Sequence, residues 1–272
     1  MINVAICGVG RAGLEVVRTV RDSRKYNIVA AFCRNQSEKA GLDIGELSLT
    51  GKMGIVATPI SRAHEVFCST RIDVVVDFSN HEASLLLLDG CKTYNVPCVI
   101  CTTGFSDEEL TRMQRTVRSA KMSVVYAPNV TVGINVLMSL LKTVARALPF
   151  FDYQITEMHH SRKTDRPSGT AKRIAETLEN ELPEIPVSHI PINSVRAGGY
   201  IGVHEVLAVG DYEKISISHE SFSRKAFAQG ALMAADFIMG HKGWHYMEDV
   251  IDIHAILRKD EYMRPQTNII QA

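Results

Sequence analysis

The sequence predicts an α/β protein in two parts: an open parallel sheet, then an α+β domain with a mixed, largely antiparallel sheet. Three observations carry this reading. Up to about residue 130, short apolar runs alternate with helical patterns, as in successive βαβ units. The turn after the first apolar run reads Gly8-Val9-Gly10-Arg11-Ala12-Gly13. Beyond Thr131 the alternation stops and strand-like segments follow one another, which favours antiparallel pairing. A length of 272 residues suits two domains. The pattern divides them as 1–130 with 240–272, and 131–239.

Composition narrows the function. Hydrophobic residues make up 46% and charged residues 22% of the chain, ordinary values for a water-soluble globular protein. Thirty basic residues balance thirty acidic ones, with no basic block to support nucleic-acid binding. No apolar run approaches the roughly 18 residues that would span a bilayer, so no membrane partner is expected. Met1 leads straight into a strand pattern, so no signal peptide is expected. The six cysteines, Cys7, Cys33, Cys68, Cys91, Cys98 and Cys101, sit largely in apolar runs, which suits reduced thiols in a cytoplasmic enzyme. Cys98 and Cys101 have C-x-x-C spacing without a second pair, and on a strand their sulfurs point to opposite faces. They are read as packing, and no metal is expected.

Asn3–Cys7 is an apolar strand, and Leu14, Val16, Val17 and Val20 follow the glycine turn at helical spacing. Strand, G-x-G-x-x-G and helix together make the context of a Rossmann-type dinucleotide turn. Gly8 permits the tight turn, Gly10 lets a pyrophosphate approach the backbone, and Gly13 allows close helix packing. The second strand, Ile28–Phe32, leads into Cys33-Arg34 where an NAD site carries an acid for the ribose hydroxyls. Arg34, with Lys39 near, suits a 2′-phosphate, so NADPH is expected as the preferred cofactor over NADH. Ile72–Asp77, Val96–Cys101 and Met122–Tyr126 are further parallel strands, ending in Phe78-Ser79-Asn80, Thr102-Thr103-Gly104 and Ala127-Pro128-Asn129. Helices are expected from about His81 to Tyr94 and from Ser106, a capping residue. Ligands of open parallel sheets sit at the carboxyl ends of strands, which places Ser79, Thr102, Thr103 and Asn129 by the cofactor. After Thr131 the pattern predicts a helix over about 133–148, strands over 187–195, 203–209 and 214–219, a helix over about 224–239, and a short helical return over 243–256. The last fifteen or so residues are polar and expected to be mobile.

The densest chemistry lies in Glu157-Met158-His159-His160-Ser161-Arg162-Lys163-Thr164-Asp165-Arg166-Pro167-Ser168-Gly169-Thr170-Ala171. The residues before it, Tyr153 to Met158, alternate as a strand does, and those after it have helical spacing with Ser168 or Thr170 as cap. Backbone N–H groups at a helix start bind carboxylate or phosphate. A histidine and a lysine beside them can give protons to a substrate that is gaining electrons. The stretch therefore suits a small dianion that must be protonated.

The chain resembles the dihydrodipicolinate reductases of bacterial lysine and diaminopimelate synthesis along nearly its whole length. The specific part is E-x-H-H-x-x-K-x-D-x-P-S-G-T-A, met with every anchor from Glu157 to Ala171. Asp77-Phe78-Ser79, Thr102 to Phe105, Ala127 to Asn129 with Gly133 and Asn135, Arg196 with Gly198, Gly202 and His204, and Met247 with Asp249-Val250 add to it. The resemblance implies NAD(P)H-dependent reduction of the dicarboxylate 4-hydroxy-tetrahydrodipicolinate by a homotetramer joined through C-terminal sheets. It implies that His159 and Lys163 handle protons, that His160 binds substrate, and that Gly169 and Thr170, with Ser168 beside them, hold a substrate carboxylate. Cofactor contacts are implied for Gly8, Val9, Gly10, Arg11, Ala12, Gly13, Arg34, Cys101, Thr102, Thr103, Ala127, Pro128, Asn129 and Val130. Three departures touch the cofactor side: the glycine turn is one residue shorter than the common G-x-x-G-x-x-G, Cys101 replaces a frequent glycine, and Val130 a frequent aromatic. The loop between Glu181 and Val195 is also short. A diaminopentanoate-type dehydrogenase, or a non-catalytic nucleotide sensor, is the competing reading; the intact His-His-Lys cluster argues against both.

Overall fold

The structure, a computed structural model, describes residues 1–21, 23–182 and 190–253. In chain order the elements are β1 (Ile2–Cys7), α1 (Arg11–Arg21), β2 (Tyr26–Cys33), α2 (Ile44–Leu47), β3 (Ala57–Pro59), α3 (Ala63–Ser69), β4 (Val74–Asp77) and α4 (His81–Tyr94). Then come β5 (Cys98–Ile100), α5 (Asp107–Ser119), β6 (Ser123–Tyr126), α6 (Val132–Ala147), β7 (Asp152–His159) and α7 (Gly169–Glu181). The chain goes on with β8 (Ile192–Arg196), β9 (Val203–Val209), β10 (Lys214–Glu220), α8 (Lys225–Ile238), β11 (Gly243–His245) and α9 (Met247–Ile251).

Two sheets organise these elements. The first has the strand order β11-β6-β5-β4-β1-β2-β3, and every pairing in it is parallel. Its central strands are buried on both faces, hence the near-continuous Val/Ile/Ala runs. One face packs α1 and α8 through Leu14, Val16, Val17, Ala228, Ala231, Leu232 and Ala235; the other packs Phe67, Leu87, Leu88, Met113 and Val117. Cys101 belongs to the first face and Cys98 to the second, as strand alternation requires. Order reverses at β1, which has β2 on one side and β4 on the other. At such a reversal the crossover helices leave to opposite faces and open a crevice at the carboxyl edge.

The second sheet, β10-β9-β7-β8, is antiparallel except for the parallel β7·β8 pair. Helices α6 and α7 cover it through Ile134, Leu137, Met138, Leu141, Ile174 and Leu178. Ser106 caps α5 in a reciprocal box with Glu109, and Ser168 caps α7 by accepting the Ala171 N–H.

The expectation for 243–256 needs correction. Gly243–His245 is a strand that extends the first sheet beside β6, and the helix among the described residues of this span is Met247–Ile251; positions 254–256 lie outside them. Gly243 has φ of 107°, which a helix does not allow, and its N–H bonds to the Met122 carbonyl. Sequence periodicity also marks none of α2, β3 and α3, each too short to show a period. Positions 187–189 of the strand expected over 187–195, and the polar tail from 254, lie outside the described residues; β8 starts later than expected, at Ile192, and runs one residue further, to Arg196.

Candidate active site

Strand β7 carries the site because it alternates strictly. Tyr153, Ile155, Glu157 and His159 face inward, with exposed or half-buried residues between them. Two inward apolar residues are thus followed by two inward ionisable ones, and a carboxylate with no water around it needs partners. Glu157 has them. Arg196, directly beside His159 in the parallel register, donates Nη1 to Glu157 Oε2 at 2.9 Å and Nη2 to Oε1 at 2.6 Å. His159 Nδ1 lies 2.5 Å from Oε2, and the Ser168 N–H reaches Oε1 at 3.3 Å. Burial by itself would raise the Glu157 pKa; the bonds from Arg196, Ser194 and His159 outweigh it and bring it down to about 2.

Glu157 is thus an ionised carboxylate, an acceptor only, so the hydrogen between it and His159 is carried by Nδ1. That assignment follows from the bonding pattern and leaves Nε2 as the other reactive nitrogen. A Cβ on Gly202 would lie 3.2 Å from it, so glycine there keeps the ring edge uncrowded. His159 is held below the usual imidazole range, first by burial and then by the charges of Lys163 and Arg196, against the upward pull of Glu157. His204 on β9 stacks edge-on to it at 5.3 Å between ring centres and bonds the Ser168 hydroxyl at 3.3 Å. Burial and the neighbouring His159 push His204 down to about 3, so it stays neutral.

The turn after β7 carries Lys163, whose Nζ pairs with Asp165 Oδ1 at 2.7 Å. The same turn is tied to the strand pair by Arg196 Nη2, which donates to the Asp165 carbonyl at 2.6 Å. Thr170, in the first turn of α7, accepts a hydrogen bond from Asn129 Nδ2 at 2.9 Å. Asn129 Oδ1 accepts from Thr131 N–H and Oγ1, and this fixes which way the amide points. With its oxygen engaged as acceptor, the Thr170 hydroxyl keeps its own proton to donate.

His159, His160, Lys163 and Thr170 line one cavity of about 420 Å³ together with Arg11 and Asn129 from the carboxyl edge of the first sheet. Arg162, Asp165, His204 and His219 line it too. Ser168 and Gly169, at the start of α7, are not among its walls; the Ser168 hydroxyl is occupied by the cap and by His204. The remaining expected residues lie along the first sheet's edge. Ser79 and Thr102 both give their hydroxyls to the buried Asp77, at 2.5 and 2.9 Å, and Ser84 joins them. Asp77 stays above its usual range because burial outweighs those bonds. The side chains of Cys101, Ala127 and Val130 are in the core, so only their backbone could meet a ligand.

Against known proteins, the N-terminal dihydrodipicolinate reductase family model matches residues 2–130 and the C-terminal one residues 133–251. The 4-hydroxy-tetrahydrodipicolinate reductase of Methanopyrus kandleri is 34% identical over 268 residues, covering 92% of this chain and 97% of its own. The chain belongs to the dihydrodipicolinate reductase family. The Methanothermobacter thermautotrophicus enzyme of the same name is 33% identical, covering 93% of this chain and all of its own (100%). A dipicolinate-bound dihydrodipicolinate reductase from Paenisporosarcina superposes with a TM-score of 0.77 at 27% identity, over 92% of this chain and 99% of that one. An amine dehydrogenase from Mycobacterium smegmatis shares the fold, with a TM-score of 0.64 at 14% identity over 89% of this chain and 93% of that one.

Dihydrodipicolinate reductases are nicotinamide-dinucleotide enzymes, and the first sheet's edge fits such a group. A Cβ on Gly8 would meet the Phe78 carbonyl at 2.3 Å, and one on Gly13 the Gly8 carbonyl at 1.9 Å. A Cβ on Gly10 would meet nothing within 4 Å, so the backbone there is open to an approaching pyrophosphate. Lys39 Nζ donates to the Val9 carbonyl at 2.6 Å and brings a cation onto the turn. Arg34 follows the last residue of β2 and is exposed, its guanidinium making no ion pair among the described residues. Sequence reasoning named Glu157, Asp165, Asp77, Arg196 and His204 as parts of the family pattern but left them without roles. The missed signal for Glu157 is its place in phase with Tyr153 and Ile155 on the inward face.

Proposed function

We propose that this enzyme reduces 4-hydroxy-tetrahydrodipicolinate to tetrahydrodipicolinate, with one substrate carboxylate on the start of α7 and the protons coming from His159 and Lys163. The observation that carries this is the convergence of His159, His160, Lys163 and Thr170 on one cavity with Asn129 and Arg11 of the dinucleotide edge. Bound NAD(P)H supplies the hydride. The Gly169 and Thr170 end of α7 offers backbone N–H groups and a directed hydroxyl to the carboxylate. In the overall conversion the C4 hydroxyl leaves as water, and the hydride transfer consumes one proton. Lys163 has three N–H bonds, of which Asp165 takes one, and His159 presents Nε2 on the same cavity; both lie where that proton is needed. His160 stands by as a further substrate contact.

In this reading 1–130 with 240–272 bind the dinucleotide and 131–239 hold the substrate, α8 lying back across the first sheet. NADPH is preferred over NADH, because β2 ends in Cys33-Arg34 with no acid to repel a 2′-phosphate and with a free guanidinium to meet it. The enzyme works as a homotetramer in the cytoplasm; exposed Val195, Val209 and Ile215 on the second sheet supply an apolar surface for association. The test is a coupled assay: dihydrodipicolinate synthase generates the substrate, and NAD(P)H absorbance is followed with and without this enzyme. Oxidation of cofactor that depends on both enzymes supports the reading, and its absence at all pH values from 6 to 9 refutes it.

A further inference from the structure

We propose that Glu157 is a positioning residue for the reduction, acting with Arg196 to hold the proton of His159 on Nδ1 and so to reserve Nε2 for the cavity. The proposal rests on the functional reading above and extends it to a residue that does not touch the substrate. Glu157 is fully buried and is not among the residues that line the cavity. Its two oxygens receive Nη1 and Nη2 of Arg196, Nδ1 of His159, the Ser168 N–H and a bond from the Ser194 side chain. That leaves no lone pair for a ligand, so any effect of Glu157 on the reaction passes through its neighbours.

The effect on His159 has a definite sign. A carboxylate beside Nδ1 favours the imidazolium, the form that gives a proton from Nε2. The other charged or titratable groups facing this ring are Arg196 on β8, Lys163 and Asp165 on the turn, and His204 on β9, with His219 on β10 beyond His204. Arg196 and Lys163 oppose protonation, His204 is neutral, and Asp165 is paired with Lys163. Glu157 is thus the one carboxylate in direct contact with the ring among the described residues. Arg196 keeps it ionised. Without the guanidinium, burial would favour the protonated carboxyl, which could donate to Nδ1 and move the ring hydrogen to Nε2. The ring would then present the wrong tautomer to the cavity.

The test is the pH profile of Glu157→Gln, which keeps size and removes charge. An opposite charge in contact shifts a pKa by about 1–3 units, so removing it lowers the His159 pKa. The alkaline limb of kcat/KM should move down by that interval. The variant should then be about 10- to 1000-fold slower above the wild-type limb and recover as pH falls. A loss equal at every pH, with no movement of the limb, would mark the pair as structural only and overturn the proposal. A second measurement needs neither variant nor substrate. In ¹⁵N-histidine-labelled wild type above its imidazole pKa, the His159 resonance should report Nδ1–H and bare Nε2. An Nε2–H tautomer there would overturn the proposal even if Glu157→Gln fails to fold. Because the resonance does not depend on turnover, an Nδ1–H signal in an enzyme inactive on this substrate would sink the functional reading and leave the positioning role standing.

Discussion

Replacing Arg196 by Met separates the structural energy of the buried pair from ordinary packing. The Arg196 side chain is 1% exposed and that of Glu157 0%, so neither is screened by water. Met matches much of the length but removes both bonds to Glu157 and those to the Val195 and Asp165 carbonyls. Breaking a buried pair on one side typically costs about 3–5 kcal/mol, because a charge is left without compensation. The pH dependence identifies the cause. In the wild type the Glu157 pKa falls from 4.5 to about 2, a depressed acid, so its stabilisation is complete above 4.5 and is lost as pH falls towards 2. At 1.36 kcal/mol per unit that amounts to roughly 3 kcal/mol. In Arg196→Met the same carboxyl is buried with its strongest partner gone, so its folded pKa rises above 4.5 and stability falls as pH increases from 4.5 towards that raised value. The difference between the two proteins should therefore be largest near pH 7.5 and shrink below pH 4. Urea unfolding at pH 7.5 and pH 3.5, with the Glu157→Gln/Arg196→Met double variant alongside, measures it. The double variant should regain part of the loss, since no buried charge remains. A deficit equal at both pH values, and unrelieved in the double variant, would refute the electrostatic account in favour of a cavity.

What could be read in the sequence was whatever is local. The alternation of β7, a cap at Ser168 or Thr170, the glycine turn and the cap at Ser106 each depend on residues within a few positions of one another, and the structure has them, with Ser168 as the cap of α7. The partners of the site do not follow from such patterns. Arg196 meets Glu157 only because β7 and β8 run parallel in one register, and His204 reaches His159 through the antiparallel β9. Strand register over dozens of residues is set by the packed sheet, so no spacing rule reports it. Short elements were hidden for a different reason. Gly243–His245 adds a strand with only three residues, too few for either period, and Met247–Ile251 beyond it lent the segment a helical look. The edge residues mix both cases: their positions at strand ends were legible, but Asp77 decides what the Ser79 and Thr102 hydroxyls do, and its role as a buried acceptor depends on three elements meeting.

Three further expectations follow from the site. Lys163→Ala and His159→Ala should each lower kcat by about 10²–10⁴-fold while cofactor affinity, read by fluorescence titration, stays near wild type; near-normal turnover in both would remove them from proton transfer. Gly13→Ala should impair folding or dinucleotide binding, since its Cβ would sit 1.9 Å from the Gly8 carbonyl, whereas Gly10→Ala should fold normally and weaken only the dinucleotide; equal melting temperatures for Gly13→Ala and wild type would contradict this. The clamp at α7 gives the last test. The Thr170 oxygen accepts from Asn129 at 2.9 Å, which leaves its proton to be donated into the cavity. Thr170→Val removes that donor and also leaves the Asn129 amide unpaired, at a combined scale of about 1.5–3 kcal/mol for a hydrogen bond to a charged group. KM should rise by roughly one to two decades, with competitive inhibition by an aromatic dicarboxylate weakened to match. Asn129→Ala separates the two contributions: it frees the hydroxyl to turn but leaves it present, so its effect on KM should be the smaller. Should Asn129→Ala weaken the dicarboxylate as much as Thr170→Val does, the threonine proton is not what holds the carboxylate, and the amide would have to be the ligand's own partner.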